Sequence, residues 1–368
     1  MNLGKGLVKI IMFTANLIVV FLMFVSLFAA RVSPDKMLLP AYSTLILPLT
    51  IVLNVGFVIF WLVFRKWLFL ISLLTLLVSF NVVRNTFPMN FSDASDVEKN
   101  QEGISLLTYN SHMNCIMAKH TTEKPNPVIQ YMLDKDPDIL CIQEFSSIAD
   151  DERYLTHADL MEIFKKYAYK HVHYKVNGSW SKSGIATFSK FPIINKSTVD
   201  YKSNYNSSIL SEININGKML RLINCHLESN NLTESDKNMA LQLKDNLDTE
   251  SIKGTTLHLS RKLGAAYKVR APQADSVSKL VSSSPYPVMV VGDFNDVPSS
   301  YAYTKIRADL NDAFVEKGFG LGWTFSESIF KFRIDHILYD PSIKLVDFKL
   351  DNKVRFSDHY PLFCKIIL

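Results

Sequence analysis

Three apolar stretches at the start of the chain constrain its architecture most. Residues 7–30 (LVKIIMFTANLIVVFLMFVSLFAA) contain a single lysine, and residues 37–64 and 67–83 contain no charged residue. A helix of about 20 apolar residues crosses the hydrocarbon core of a bilayer. The sequence therefore predicts a membrane anchor over residues 1–84, with three transmembrane helices at about 7–30, 37–64 and 67–83.

Other interpretations of two of these stretches stay open. Residues 7–30 could be a cleaved secretory signal, although they show no clear small-residue cleavage site and two more apolar stretches follow. Pro40 and Pro48 lie in the second stretch, so a re-entrant segment is an alternative to a full crossing there.

Basic residues near the ends of the stretches predict the orientation. Lys5 and Lys9 lie at the start of the first stretch, and Arg65 and Lys66 separate the second from the third. Basic residues favour the cytoplasmic side of a membrane. We therefore expect a multi-pass protein with a cytoplasmic N-terminus and a C-terminal part on the extracytoplasmic side.

The net charge of +5 belongs to the apolar part of the chain. Residues 1–90 carry seven Lys or Arg and one Asp, a net +6, which leaves −1 for residues 91–368. Nonspecific nucleic-acid binding usually depends on a positive field over the whole domain. The C-terminal part lacks such a field, although a local basic patch stays possible.

The rest of the chain divides into a linker and one large domain. Residues 85–102 are polar, which predicts a linker, and residues 103–368 alternate short apolar runs with helical or loop segments. Asn216-Gly217 between two such runs indicates a hairpin. Many strands with few helices between them favour an α+β fold of two packed sheets covered by helices.

Polar residues that end or interrupt the apolar runs are the candidates for chemistry. They are Asn110, Glu144, His226, Asp293, Asn295, Asp335, His336, Asp358 and His359. Each alone has a structural explanation, but strand ends of packed sheets meet at one edge. Carboxylate and amide oxygens suit a hard divalent ion, Mg²⁺ or Mn²⁺, and crowded carboxylates repel one another without a cation. The pattern indicates metal-assisted hydrolysis of a phosphate ester.

Motifs of other hydrolase classes are missing from the sequence. It contains no HExxH zinc-protease motif, no GxSxG nucleophile motif and no Walker loop ending in GKS or GKT. The four cysteines form no CxxC pair, so a thiolate metal cluster is not expected.

The ordered fragments TYN, IQE, SKSGIATFS, NCHLES, GDFND, RIDHI and SDHYP resemble the endonuclease/exonuclease/phosphatase superfamily. GDFN and SDHYP are the most specific of them. The resemblance extends over residues 104–368 and leaves out the apolar stretches. It implies a deoxyribonuclease-I-like fold, a four-layer α/β/β/α sandwich, for the catalytic domain at residues 103–368.

The resemblance also implies a metal site and a phosphate contact. Glu144 would be the main metal ligand, helped by Asn110 and Asp358. His226 would bind or protonate a phosphoryl oxygen. The cofactor would be Mg²⁺ or Mn²⁺.

The remaining roles concern the attacking water and the imidazole that faces the phosphate. Asp293 would activate or orient the water, and Asn295 would hold the water and the phosphate. Asp335 would fix the tautomer of His359, which would act as the general base or stabilise charge, a choice disputed within the family. Arg270, before the GDFN strand, could reach an anionic substrate.

Three functions remain open at this point. The first is a membrane-anchored phosphodiesterase acting on a lipid head group or another small phosphodiester. The second is a nuclease that cleaves extracellular DNA or RNA, and the third is a non-catalytic binding module. Complete motifs argue against the third. We infer a phosphodiester substrate and the membrane as partners, with no obligate protein partner.

Overall fold

The apolar N-terminal part forms five helices in a computed structural model of the chain. They are α1 (Leu3–Phe28), α2 (Leu39–Leu45), α3 (Leu47–Val63), α4 (Phe69–Val78) and α5 (Phe80–Thr86). We call residues 3–86 the N-terminal bundle. The structure describes residues 3–91, 102–115, 119–121, 123–149, 151, 153–242, 248–327 and 330–368, so most of the expected linker at residues 85–102 lies outside it.

The expectation of three uninterrupted transmembrane helices needs a correction. Gly6–Phe28 is the one described helix that is long and apolar enough to cross a membrane by itself. The second and third stretches are helix pairs, α2 with α3 and α4 with α5, bent by 69° and 74°, and they bring the total to three only if each pair counts as one span. The first bend lies just before Pro48, which cannot continue a preceding helix because it lacks an N–H and its ring meets the carbonyl four residues earlier.

The N-terminal bundle buries polar side chains among apolar ones and exposes mainly apolar side chains. Asn16 Nδ2 donates to Ser72 Oγ (2.6 Å), and Trp61 Nε1 donates to Asn16 Oδ1 (3.0 Å), so three helices share one buried polar cluster. The outer surface instead exposes large apolar side chains, among them Ile18 and Phe21. This inside-out distribution is typical of helices surrounded by lipid.

The C-terminal part contains two six-stranded sheets. The first has the order β13-β14-β1-β2-β4-β3, and the second β5-β6-β7-β8-β12-β9. The strands of the first sheet are β1 (Ile104–Asn110), β2 (Ile139–Ile148), β3 (Tyr169–Asn177), β4 (Ser181–Ser189), β13 (Lys344–Leu350) and β14 (Leu362–Ile367). Those of the second are β5 (Ile193–Thr198), β6 (Ile209–Ile215), β7 (Lys218–His226), β8 (Val288–Asp293), β9 (Asn311–Asp312) and β12 (Asp335–Tyr339), and a separate hairpin joins β10 (Phe325–Glu327) to β11 (Phe330–Phe332).

Helices cover the outer faces of both sheets. They are α6 (Pro127–Lys135), α7 (His157–Ile163), α8 (Glu234–Gln242), α9 (Thr249–Ser282), α10 (Tyr301–Arg307) and α11 (Ala313–Lys317). Leu106 and Cys141 of the first sheet pack on Leu222 and Val291 of the second. The first sheet packs its other face against α6 and α7, and the second against α9 and α10. The expected two-sheet sandwich with outer helices is confirmed, and we call residues 104–367 the sandwich.

The hairpin signal is confirmed. Asn216 and Gly217 both have positive φ, 52° and 92°, and connect the antiparallel pair β6 and β7. A two-residue turn with positive φ at both positions matches the twist of the strands, and asparagine and glycine accept that backbone geometry at the lowest cost.

Close packing joins the N-terminal bundle to the sandwich. Tyr42 of α2 donates from its hydroxyl to Ser260 O of α9 (2.7 Å) and packs its ring near that of Tyr267. A Cβ at Gly264 would lie 2.4 Å from the Tyr42 hydroxyl. A glycine inside a helix costs about 1 kcal/mol relative to alanine, and here it lets α2 approach α9. After α5, Asn90 Nδ2 donates to Val315 O and Gly318 O.

Candidate active site

Strand direction brings the polar strand ends to one edge of the sandwich. β1 is parallel to β2 in the first sheet, and β7 is parallel to β8 in the second. Asn110, His226 and Asp293 are the last residues of β1, β7 and β8, and Asp335 opens β12, which runs antiparallel to β8 and pairs with Asp293. The two sheets are also linked at this end, where Gln143 Nε2 donates to Asn224 Oδ1 (2.6 Å).

Glu144 projects from a bulge in β2. The β2–β4 register shifts between Gln143 and Phe145, and Glu144 has a φ of 54°, which is rare for a residue with a side chain. A bulge adds one residue to a strand and redirects its side chain. The backbone therefore carries local strain at the position where it presents Glu144 to the cavity.

Gly292 allows the GDFN turn to approach its neighbours. Its φ is 118°, and a Cβ there would lie 2.2 Å from Cys225 O and 2.8 Å from Gln143 Nε2. Any other residue at this position would therefore displace β7 or the link between the sheets. Asn295, two residues beyond Asp293, also has a positive φ, 52°.

Asp293 lies at the centre of the polar group and is 1% exposed. Its Oδ1 accepts from the Asn295 backbone N–H (2.7 Å), and its Oδ2 accepts from Asn110 Nδ2 (2.9 Å) and Asn295 Nδ2 (3.2 Å). The same Oδ2 is 3.7 Å from His226 Nε2 and 3.8 Å from His359 Nε2. A single carboxylate oxygen therefore faces both imidazoles.

His359 and Asp335 form a direct pair. His359 Nδ1 lies 2.8 Å from Asp335 Oδ2, and both side chains are buried. Burial lowers the pKa of His359, but the carboxylates of Asp335 and Asp293 outweigh that effect and hold the pKa well above its usual value. The two carboxylates therefore favour the charged form of this imidazole, whose Nε2 lies 3.8 Å from Asp293 Oδ2.

His226 has a different environment. Its Nε2 lies 2.8 Å from Asn206 Nδ2 and 3.9 Å from Glu144 Oε1. Burial lowers the pKa of His226, more strongly than Asp293 raises it. Burial thus favours the neutral form of His226, whereas the neighbouring carboxylates favour the charged form of His359.

Asp358 and Asn110 both contact His112, in the segment after β1. Asp358 Oδ1 pairs with His112 Nδ1 at 2.9 Å, and Ser357 Oγ donates to Asn110 O at 2.9 Å. Asn110 directs its amide nitrogen to Asp293 and Glu144, while its amide oxygen accepts from the His112 backbone N–H. In this orientation Asn110 holds the carboxylates in place, and the amide would have to turn over to act as a metal ligand.

The carboxylates fit a divalent cation. Burial is the main reason why the pKa of Glu144 and that of Asp293 are raised, and the neighbouring Asp358 and Asp335 raise them further. A cation placed among these carboxylates would offset both effects. Among the described residues, the ligand atoms of Asp293, Asp335 and His359 lie within 4.8 Å of one another. In this trio, Asp335 Oδ2 is already paired with His359 Nδ1 at 2.8 Å, whereas Glu144 and Asp358 also line the cavity and offer further carboxylate oxygens to a cation.

Arg270 does not reach the cavity, which corrects the expectation that it contacts the substrate. Its side chain is fully buried, 3.1 Å from Asp296 Oδ2, and donates to Glu228 O and Asn230 Oδ1. The loop after β7 is held in place by these contacts. The sequence pattern indicated a basic residue near the site, but its burial depends on how α9 packs.

Three residues near the site were missed by the sequence analysis. Asn206 lies in a loop before β6, His112 in the segment after β1, and Thr324 before β10, where its Oγ1 accepts from the Ile334 and Asp335 backbone N–H groups. None of them ends an apolar run, so the strand-end pattern could not find them. Their proximity to the site arises from loop conformation.

One cavity of about 220 Å³ connects these groups. Its polar lining includes Glu144, His226, Asp293, Asn295, Asp358 and His359. These six predicted site residues therefore line the same cavity. Asn110 and Asp335 are not in its lining, but they hydrogen-bond to Asp293 and His359 respectively. A buried carboxylate between two imidazoles, beside carboxylates able to hold a cation, can orient a water molecule and stabilise negative charge on a phosphoryl group.

A family model described as the Endonuclease/Exonuclease/phosphatase family matches residues 107–359, more than half of the chain. The chain therefore belongs to this family. It is a metal-dependent enzyme that hydrolyses phosphodiester bonds, and members of the family depend on divalent metal ions. A second model, a domain of unknown function (DUF8431), matches residues 9–86. A search of curated proteins found no match.

Three solved structures are similar to this chain over 72–73% of its length. A D. rerio TDP2 complexed with single-strand DNA product is 14% identical, with a TM-score of 0.49, and the match covers 73% of this chain and 100% of that one. An endonuclease/exonuclease/phosphatase family protein from Leptotrichia buccalis is 20% identical (TM-score 0.46, 72% and 100%), and the human Nocturnin catalytic domain is 14% identical (TM-score 0.45, 72% and 94%). Likeness at this level does not bear on the substrate.

Proposed function

We propose that this chain is a membrane-anchored, divalent-metal-dependent phosphodiesterase, with its anchor in residues 1–84, a linker at 85–102 and its catalytic domain in residues 103–368. The observation that carries the catalytic proposal is the position of Asp293, held by Asn110 and Asn295 and directed at both His226 and His359. The apolar outer surface of the N-terminal bundle supports the anchor.

In the proposed reaction, a water oxygen bonds to phosphorus and the bond from phosphorus to the leaving alcohol oxygen breaks. Asp293 orients the water and takes its proton. The leaving alkoxide takes a proton from solvent water, and Asp293 then returns its proton to the solvent. His359, kept protonated by Asp335, stabilises negative charge on the phosphoryl oxygens, and the neutral His226 contacts them from the other side. Asn295 keeps Asp293 oriented.

Glu144 and Asp358 would hold the cation, with Asn110 beside Glu144. When bound, Mg²⁺ or Mn²⁺ would supply a positive charge that neutralises the phosphate and polarises its oxygens. Mg²⁺ is the first choice because the available ligands are oxygens.

The expected orientation stays part of the proposal. Lys5, Lys9, Arg65 and Lys66 favour the cytoplasmic side, which puts the catalytic domain outside if the two bent pairs each cross once. A reporter fused after Leu368 should be active only in its exported form. Activity of a cytoplasm-specific reporter at that position would contradict the orientation.

The assay that tests the function uses the full chain in detergent with Mg²⁺ or Mn²⁺. It compares phospholipids, small soluble phosphodiesters, plasmid DNA and RNA, each with wild type and Asp293→Asn. We expect metal-dependent hydrolysis that the substitution abolishes. Preferred cleavage of DNA or RNA, with a rate that falls steeply as salt rises, would support the nuclease alternative, and equal activity of the two proteins would show that the assigned site is wrong.

A further inference from the structure

We propose that the substrate is a phosphodiester lipid taken from the bilayer that holds the anchor, and that Leu45 of the N-terminal bundle forms part of its binding site. This inference deepens the proposed function and rests on it. The lipid's phosphate would lie at Asp293 and His359, and its apolar part along the opposite wall of the cavity.

The lining of the active-site cavity is mixed. Beside the carboxylates and imidazoles it includes other polar residues, Ser229, Asn230, Asn231 and Glu327, and a set of apolar residues that we call the apolar wall: Leu45, Leu232, Leu263, Tyr267, Val297, Phe325, Phe332 and Ile334. The Phe325 ring lies 5.1 Å from the His359 ring, centroid to centroid, so the apolar wall begins beside the reacting groups. An apolar wall a few ångströms from a phosphate site fits a ligand that is itself part polar and part apolar.

Leu45 lies in this wall because α2 is hydrogen-bonded to α9 and packs against it. The Tyr42 hydroxyl donates to Ser260 O, and Gly264 leaves space for Tyr42 and for Leu38. Leu45 is the last residue of α2, at the 69° bend before α3. The surface of α3 that follows is apolar and exposed, as at Leu49 and Val52. The wall is thus continuous with the surface proposed to face lipid.

A second, smaller cavity of about 70 Å³ borders the first along the same line. It shares Leu45, Val297 and Phe332 with the active-site cavity. Its other lining residues include Pro48 in the first turn of α3 and Thr86 at the end of α5. Its lining also includes Lys331 and Arg333. The two adjoining cavities therefore extend from the reacting groups to the bend between α2 and α3 and to the end of α5.

The charges at the cavity favour a ligand with a single phosphate group. Lys237 is the one lysine or arginine among the described residues that line it, and this lysine pairs with Glu234 (2.8 Å) and Glu327 (2.5 Å). A nucleic-acid strand is usually bound through several unpaired cations along its backbone. The described residues of this cavity offer apolar contacts instead of a row of unpaired cations.

The first experiment compares matched substrates with and without acyl chains. The full chain in mixed micelles with Mg²⁺ is given phosphatidylcholine, phosphatidylglycerol or phosphatidylinositol, and in parallel the deacylated glycerophosphodiester of each head group. We expect kcat/KM for at least one lipid to exceed that for its deacylated form by at least tenfold. Equal or faster hydrolysis of every deacylated form, or preference for DNA or RNA, would overturn the inference but leave the phosphodiesterase intact. Hydrolysis of none would contradict the proposed function itself.

The second experiment tests the wall. Leu45→Trp fills the space beside the apolar wall, and Leu45→Ala removes the Leu45 contact without adding bulk. The control Ile59→Trp adds the same bulk on α3 at a position that is 57% exposed and lies outside both cavities. The readout is the ratio of lipid to deacylated hydrolysis in each variant. We expect both Leu45 variants to lower this ratio at least fivefold and Ile59→Trp to leave it unchanged. An unchanged ratio in both Leu45 variants would show that Leu45 is not part of the site.

Discussion

The N-terminal bundle and the sandwich differ in the side chains that they expose and in the position of their buried polar groups. In the bundle, Asn16, Trp61 and Ser72 are buried together, and isoleucines and phenylalanines cover the outside. In the sandwich, apolar residues fill the space between the sheets, and polar groups gather at one edge. The difference follows from the surroundings. In water, burial removes apolar side chains from the solvent, whereas in lipid an apolar side chain can stay on the surface and polar side chains hydrogen-bond to one another inside.

The two polar groups also differ in charge. The polar cluster of the bundle is neutral, and its members hydrogen-bond to one another. The active-site group is crowded with carboxylates, and Glu144 adopts a backbone conformation that costs free energy. The hydrogen bonds of the first cluster stabilise the bundle. The crowded carboxylates of the second group are instead explained by function, because they would bind a cation and act on a substrate.

The largest expected effect comes from Asp293→Asn. The variant keeps the shape of the side chain but cannot take a proton, so kcat should fall about 10³-fold, as measured with the best phosphodiester found. Asp134→Asn, an exposed carboxylate on α6, is the matched control and should retain full activity. Retained activity in Asp293→Asn would show that the polar group around Asp293 is not the catalytic site.

Lysine substitutions at two isoleucines of similar exposure, one in the N-terminal bundle and one in the sandwich, test whether these two surfaces face different media. Ile18 in the middle of α1 is 54% exposed, and Ile194 on β5 is 62% exposed. Ile18→Lys should reduce membrane integration, at a cost of about 3 kcal/mol at the centre of a span, while Ile194→Lys should change nothing. The measurement is the carbonate-resistant fraction of the full chain in membranes. If Ile18→Lys integrates like the wild type, α1 does not face lipid.

Glu144→Gln should separate function from stability. The Glu144 side chain is 31% exposed, and Asp358 nearby disfavours its charge. Removing this charge should lower activity about 10²-fold but raise the unfolding free energy of the metal-free protein by about 1 kcal/mol. The stabilisation by Mg²⁺, measured as a thermal shift, should become smaller. Glu162→Gln, on the exposed face of α7, should behave like the wild type.

The pH dependence of the same thermal shift has a defined sign. The pKa of Glu144 is raised, so protons displace the cation at a higher pH than they would at an ordinary glutamate. The shift caused by Mg²⁺ should therefore decrease as the pH falls through that raised pKa. In Glu144→Gln this decrease should be weaker, and an identical pH profile in both proteins would contradict a metal-binding role for Glu144.

The smallest expected effect concerns the polar cluster of the N-terminal bundle. Asn16→Val leaves the Trp61 N–H and the Ser72 hydroxyl without their partner and should destabilise the detergent-solubilised protein by about 1 kcal/mol. Asn195→Val, on the exposed edge strand β5, should change stability by less than about 0.5 kcal/mol. Equal effects at the two positions would mean that the buried cluster does not hold the bundle together.

Local sequence patterns were enough to predict the two sheets, the hairpin at Asn216-Gly217 and the strand-end positions of Asn110 and Asp293. Glu144 was expected to end a strand, but it lies at a bulge inside β2, which continues to Ile148. These features depend on residue alternation, turn chemistry and strand ends, which a few neighbouring residues determine. The same logic predicted apolar spans at the N-terminus, but it could not predict the bends before Pro48 and at Ser79. Proline restricts the backbone nearby, while the angle of a bend depends on the helices packed around it.

The sequence by itself determined which chemical groups are available and where each lies along a strand. The tertiary structure alone decided that Arg270 is buried on Asp296, that Asn206 and His112 stand beside the catalytic groups, and that Leu45 of the apolar segment lines the cavity. The reason is physical. A local pattern reports on contacts within a few residues, whereas these contacts join residues tens to hundreds of positions apart and arise only when the whole chain packs.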